Sequence, residues 1–209
     1  MGIAIVLVVF LLVMGSCLAF VGMQGTWGAA LTFVNTLLAA ILATNYWEPM
    51  ADWMQTMMPT FTYLIDFLAI WLVFCLFMLP LRVATDFISR VKLRFIKPVD
   101  MAGGYFFGFL TGWLMICFIM FSLHMAPLSR NFLGYWQPKP ETRMVLVAPD
   151  RRWLAFFQKI SAGPLAKGAP SENPKKYVFD PGGEFVIKYG TRRTNFEKEP
   201  ALRVRIDEE

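Results

Sequence analysis

Charge is the property that the first part of this chain lacks. From Gly2 to Trp47 the sequence contains no Asp, Glu, Lys, Arg or His. Residues 101–129 are also uncharged apart from His124, the single histidine of the protein. A transmembrane helix needs about 20 consecutive apolar residues, so the first stretch is long enough for two. These long uncharged stretches exclude an ordinary soluble domain and predict an all-α integral membrane protein.

Groups suited to catalysis are also scarce. The three cysteines, Cys17, Cys75 and Cys117, fall in three separate apolar segments. That spacing matches neither a disulfide framework nor a zinc site. An acid–base or nucleophilic site needs several reactive groups within reach of one another. No catalytic residue, metal site or cofactor is therefore expected, and the protein is predicted not to be an enzyme.

The apolar runs divide residues 1–126 into a membrane domain of four spans. We place the spans at about residues 3–21, 26–45, 61–81 and 101–123. The segment 47–60, which holds Glu48, two prolines and two tryptophans, is predicted to be a loop along the membrane surface, where tryptophan is enriched.

A basic segment, residues 82–98, separates the third and fourth spans. Apolar and charged residues recur in it every four positions, as on an amphipathic helix lying in the interface. The alternative is that the segment prolongs the third span into water. Its cations, which would face the phosphate headgroups, are Arg82, Arg90, Lys92, Arg94 and Lys97.

The basic segment also predicts the orientation. Short loops rich in Lys and Arg remain in the cytoplasm, and the loop between the second and third spans has neither residue. With four spans, both termini then lie outside the cytoplasm.

The remaining residues, 127–209, form a polar tail that is predicted to be small and α+β or partly disordered. Residues 149–160 have the pattern of a short amphipathic helix with Asp150 as its N-cap. Residues 176–190 place two β-rich runs around Asp180-Pro-Gly-Gly183, which is typical of a hairpin. The tail mixes acidic with basic residues, so no nucleic-acid partner is expected.

Three glycines recur every fourth residue in the last span: Gly104, Gly108 and Gly112. Glycine inside a soluble helix costs about 1 kcal/mol relative to alanine. In lipid, small residues at this spacing let two helices approach closely, so the pattern predicts a packing groove. Its partner is either another span of the same chain or a second copy, and a water-lined path is a further alternative.

Polar side chains inside the apolar runs are the candidate functional residues. Asn35 in the second span is expected to bond to another helix. Asp66 lies about one turn inside the third span. It is predicted to be either a transport residue or a partner for another polar group. Asp100 is either the N-cap of the last span or a proton or ion contact. His124 is expected to be interfacial.

The segment Asp100-x2-Gly103-Gly104-x3-Gly108-x3-Gly112 resembles the final-helix pattern of the CvpA (colicin V production protein) family. Gly22-x2-Gly25 is similar to the first turn of that family, with Gln24 where a basic residue is usual. The alanines near the end of the second span, Ala39, Ala40 and Ala43, are similar as well. The resemblance covers about residues 1–126.

The resemblance implies a protein of the bacterial inner membrane that supports toxin production, export or envelope homeostasis without enzymatic activity. The lipid bilayer is the expected partner, together with further copies or other envelope proteins. In one hypothesis the spans are the working part. In the other, the spans are an anchor or an oligomeric, channel-like scaffold that presents the tail to an extracytoplasmic partner.

Overall fold

The computed structural model describes residues 2–58, 62–89, 95–128, 148–163 and 178–198, and these ranges contain helices but no strand. A short 3-10 turn, Gly22–Gln24, joins the first two α-helices. The α-helices are α1 (Gly2–Phe20), α2 (Gly25–Met57), α3 (Thr62–Ile88), α4 (Lys97–Leu123), α5 (Pro149–Ser161) and α6 (Phe185–Lys198).

Three helical stretches in the described ranges are long and apolar enough to cross a membrane. They are Ala4–Met57, Tyr63–Ile88 and Lys97–Leu123. The first stretch contains both α1 and α2, and the chain turns between them at Gly25, whose φ is +78°. Glycine adopts this left-handed conformation without a steric penalty. The all-helical membrane class predicted from the sequence is confirmed.

Helix α4 lies between α1 and α2 and packs against both. Near the start of α4, Gly108 lies against the backbone of Gly22. Near its end, Ile116 and Met120 pack against Phe10, Val13 and Met14 in the middle of α1. Helices α1 and α4 are therefore antiparallel, and α2, which follows the turn, runs parallel to α4.

Helices α2 and α3 are antiparallel partners. Asn35 Nδ2 donates to Thr85 Oγ1 at 2.8 Å, and further along α2 the ring of Tyr46 lies 6.1 Å from that of Phe77. We call the end of the bundle with the Gly22–Gln24 turn the turn end. The opposite end, where α5 and α6 pack, is the tail end.

An aromatic cluster joins the tail helices to the bundle. Phe118 of α4 is fully buried, and its ring lies 5.4 Å from Trp71 of α3 and 5.6 Å from Trp153 of α5, both edge to face. Phe121 stacks on Phe185 of α6 at 5.0 Å. Edge-to-face and offset-stacked rings are the favoured aromatic arrangements. The described tail thus packs onto the end of the bundle.

The prediction of a surface loop at residues 47–60 is wrong for the part up to Met57, because α2 continues to that residue. Trp47, Ala51 and Met54 are buried at helical spacing, so the segment has a packed face. Pro49 lies inside the helix. At a rise of 1.5 Å per residue, the 33 residues of α2 extend about 50 Å, beyond a hydrocarbon core of about 30 Å.

The prediction of an interfacial helix at residues 82–98 is wrong for residues 82–88. Helix α3 continues without a break to Ile88, so Arg82 belongs to the third apolar helix, as in the alternative reading. Thr85 holds this end of α3 against α2 through Asn35. Arg90, Lys92 and Arg94 lie outside the described residues, and Lys97 begins α4.

The hairpin predicted around Asp180 is also wrong in the described part of residues 176–190. The Oδ1 atom of Asp180 accepts from the Glu184 N–H at 2.6 Å, and Oδ2 accepts from the Phe185 N–H at 3.1 Å. A carboxylate that binds such free amides starts a helix. Asp180 therefore leads into α6, and the second β-rich run is helical.

Candidate functional site

Asp100 fastens the start of α4 to the start of α2. Its Oδ1 accepts from the Thr26 N–H at 2.9 Å, and the Thr26 hydroxyl donates to the Asp100 carbonyl at 3.1 Å. The interpretation of Asp100 as the N-cap of α4 is wrong, because α4 begins three residues earlier and has no side-chain cap. The carboxylate instead accepts from a free amide in the first turn of a neighbouring helix, α2.

The glycines of α4 face the turn between α1 and α2. A Cβ added at Gly104 would overlap the carbonyl oxygen of Gly22. At Gly108 it would lie 3.1 Å from the Gly22 nitrogen, and at Gly112 it would lie 2.7 Å from the sulfur of Met14. Backbone at Gly104 and Gly108, and the Met14 side chain at Gly112, leave this face of α4 no room for a larger residue. The contacts of this face lie within the chain.

Several hydrogen-bonded polar side chains connect α2 and α3 near the turn end. Arg82 Nη1 donates to Thr32 Oγ1 at 2.5 Å, and the Thr32 hydroxyl lies 2.9 Å from Gln24 Oε1. Arg82 also pairs with Asp86 at 3.1 Å, and both side chains are partly exposed. Asn35 is 1% exposed and bonds to α3, whereas Lys97 is exposed.

Asp66 lies at the tail end, where α6 covers it. Its Oδ2 accepts from the Tyr189 hydroxyl at 2.9 Å and pairs with Nη1 of Arg192. The Asp66 side chain is 8% exposed. Burial, reinforced by the Asp66 charge, raises the pKa of Tyr189, so the phenol keeps its proton and remains a donor.

His124 forms a second buried contact with the tail. Its Nε2 lies 2.9 Å from Asp150 Oδ2, and its carbonyl accepts from Arg193 Nη2 at 2.6 Å. Asp150 is therefore not the predicted N-cap of α5, which has no side-chain cap. His124 is 1% exposed and follows the last residue of α4; its position relative to the membrane interface stays a prediction. The Arg193 cation lies where the carbonyl end of α4 favours positive charge.

A family model described as colicin V production protein matches residues 6–139. The chain belongs to the colicin V production protein family. No curated protein and no solved structure matches the chain.

The family match covers both sides of the turn-end contact but only the bundle side of the tail-end contacts. The contact between Asp100 and Thr26 and the glycine face lie inside the matched residues, as does the acceptor Asp66. Helices α5 and α6 lie beyond the match. In this colicin V production protein family member, residues outside the family region therefore cover a buried carboxylate inside it.

The residues of α6 that contact the bundle were not predicted from the sequence. Phe185, Tyr189, Arg192 and Arg193 follow the spacing i, i+4, i+7 and i+8, which places them on one face of a helix. That spacing was the available signal, but the β-branched and aromatic residues beside the Pro-Gly-Gly turn favoured a strand assignment. Tyr63, which lies near Arg192, gave no signal of its own.

Replacing Gly104 with Ala should destabilise the bundle, because the new methyl group meets backbone that does not move easily. Overpacking of this kind costs about 1–3 kcal/mol, to be measured by unfolding in detergent. Gly15→Ala is the matched control, since a Cβ at Gly15 meets nothing within 4 Å. Equal stability of the two variants would contradict the close approach of α4 to the turn.

Replacing Asp100 with Ala should weaken the junction at the turn end by about 0.5–2 kcal/mol, the usual cost of losing a cap. Amide exchange at Thr26 should accelerate in the variant. Asp86→Ala is the control, because the Asp86 side chain is 60% exposed. If Asp86→Ala destabilises the protein as much as Asp100→Ala does, the contact between Asp100 and Thr26 does not hold the turn end together.

Acidification should loosen the tail through His124. Burial lowers the pKa of His124 below its ordinary 6.5, although Asp150 opposes this, while Arg193 and Arg151 act with burial. In the undocked state the His124 imidazole is exposed and takes up a proton as the pH falls through 6.5. In the docked state it is buried and takes up that proton only at a lower pH, so acidification lowers the stability of the docked state. Thermal unfolding at pH 7.5 and 5.5 should show this loss. Since the chain has one histidine, His124→Gln should reduce the pH dependence, and an unchanged difference refutes the assignment.

Proposed function

We propose that the protein is a non-enzymatic component of the bacterial inner membrane that supports toxin production, export or envelope homeostasis. Its working unit is the helix bundle together with the docked tail. The observation that carries this proposal is the buried contact of the tail with the bundle. An anchor that merely presents its tail to a partner has no need of such contacts.

Four spans are the arrangement that the helix directions favour. Helix α1 runs antiparallel to α4, α2 returns alongside α4, and α3 runs opposite to α2, so each of the four passes between the two ends of the bundle. The outward side chains support contact with lipid. Large apolar residues that are more than half exposed include Leu11, Leu12, Leu79 and Phe106.

The orientation follows from the charges at the two ends. Arg82 and Lys97 lie at or near the turn end, beside the rest of the basic segment in the sequence. Basic loops remain in the cytoplasm. We therefore place the turn end in the cytoplasm and the tail end, with both termini, outside it. Further copies of the chain or other envelope proteins stay predicted partners.

The pockets and polar groups support a non-enzymatic role. Two pockets in the described residues are lined almost wholly by apolar side chains, one between α1 and α4 and one beside Pro49 on α2. The His124 and Asp150 side chains are buried against each other. A catalytic dyad of this type would have to reach substrate, whereas this one joins two helices.

Loss of tail docking should impair the function in cells. Trp153→Ala and Phe185→Ala in the full chain each remove a buried aromatic contact, which typically costs about 3–5 kcal/mol. We expect reduced toxin release by cells that carry only these variants, at equal protein levels in the membrane. Phe156→Ala and Ile187→Ala are controls on the same two helices, with exposures of 39% and 53%. Normal toxin release with an undocked tail would contradict the proposal.

A further inference from the structure

Arg192 is held at the tail end as a bound ligand would be held. Its Nη1 pairs with the Asp66 carboxylate, and its guanidinium carbon lies 5.6 Å from the ring centre of Tyr63 and 5.8 Å from that of Tyr189. These distances are within the range of cation–π attraction. One cation thus contacts a carboxylate and two aromatic rings, and its side chain is 25% exposed.

Two of these three groups, Asp66 and Tyr63, belong to the bundle itself. Both are on α3, and the ring of Trp47 on α2 lies 6.4 Å from that of Tyr189. The charge of Glu48 on α2 also acts on Tyr189. The bundle therefore presents an acidic, aromatic surface, and Arg192 is the cation that the tail supplies to it.

A buried carboxylate at this position requires a cation. Removing one partner of a buried ion pair typically costs about 3–5 kcal/mol, and acidic groups at the edge of a membrane domain are costly without a partner. If α6 moves away, Arg192 and Tyr189 leave together, because they are on one face of that helix. Asp66 then favours a new cation that also fits against the ring of Tyr63, which stays on α3.

We propose that Asp66 and Tyr63 form a recognition site for an arginine side chain of a partner polypeptide, and that Arg192 occupies this site until the partner replaces it. A guanidinium is planar, stacks on aromatic rings and binds carboxylates through a fixed fork of donors. A lysine ammonium lacks the planar face. The inference rests on the proposed role of the docked tail, which it develops into an exchange of one arginine for another.

The exchange explains how a partner could release the tail. Because the incoming arginine takes over the ion pair, the cost of an unpaired Asp66 is avoided. The remaining contacts of α6, among them Phe185 with Phe121 and Arg193 with the His124 carbonyl, still favour docking. The docked state is then the resting state, and release needs a partner.

Binding of N-acetyl-arginine amide to the purified full chain in uncharged detergent tests the proposal. Arg192→Gln vacates the site, so it should bind the probe at least about tenfold more tightly than the wild type does, a difference that titration calorimetry resolves. The Asp66→Asn/Arg192→Gln double variant should lose this binding. N-acetyl-citrulline amide, which is neutral and of similar shape, should not bind, and N-acetyl-lysine amide should bind more weakly.

Absence of binding to Arg192→Gln, or equal binding by the double variant, overturns the proposal. If Arg192→Gln does not purify as a folded protein, Arg192→Lys retains the ion pair and should still bind the arginine probe more tightly than the wild type; no gain in that variant also overturns it. Because binding is measured on purified protein, its outcome is separate from toxin release in cells. The proposed function and the arginine site can fail independently.

Discussion

Polar groups inside this bundle must find their partners within the protein, and most of the structure depends on that constraint. Lipid offers no hydrogen bonds. Thr32, Thr36 and Thr44 accordingly return their hydroxyls to carbonyls one turn back in α2. Side chains that cannot do this reach another helix, as Asn35 reaches Thr85 and Asp100 reaches Thr26. These bonds fix which helices are neighbours and where along their lengths they meet.

Three aspartates show how the constraint decides a role. Asp100 and Asp150 each stand in the first turn of a helix, the usual position for a capping carboxylate, yet each binds a different element. Asp180 stands in a turn that favours a hairpin and instead starts a helix. The local sequence offers each carboxylate several donors. The packing of neighbouring helices determines which donor lies within reach.

The two ends of the bundle differ in what holds them. At the turn end, backbone meets backbone across the glycines of α4, so the contact is close and leaves little room for change. At the tail end, aromatic rings and ion pairs connect separate parts of the chain. The proposed arginine exchange concerns contacts of the second kind only. The close backbone contacts lie inside the family region, whereas the aromatic and ionic contacts join that region to the tail.

The sequence alone determined the helical membrane class, the approximate apolar segments and the family. Long uncharged runs and glycine spacing are local properties, so they can be recognised without knowing which helices are neighbours. It left open whether the segment after Pro80 prolongs α3, and it indicated a strand where α6 forms, since aromatic and β-branched residues fit either element. Tertiary structure alone decided the partners of Asp66, Asp100 and His124. Those partners lie 123, 74 and 26 residues away, and no local pattern specifies which distant donor will be adjacent once the helices pack.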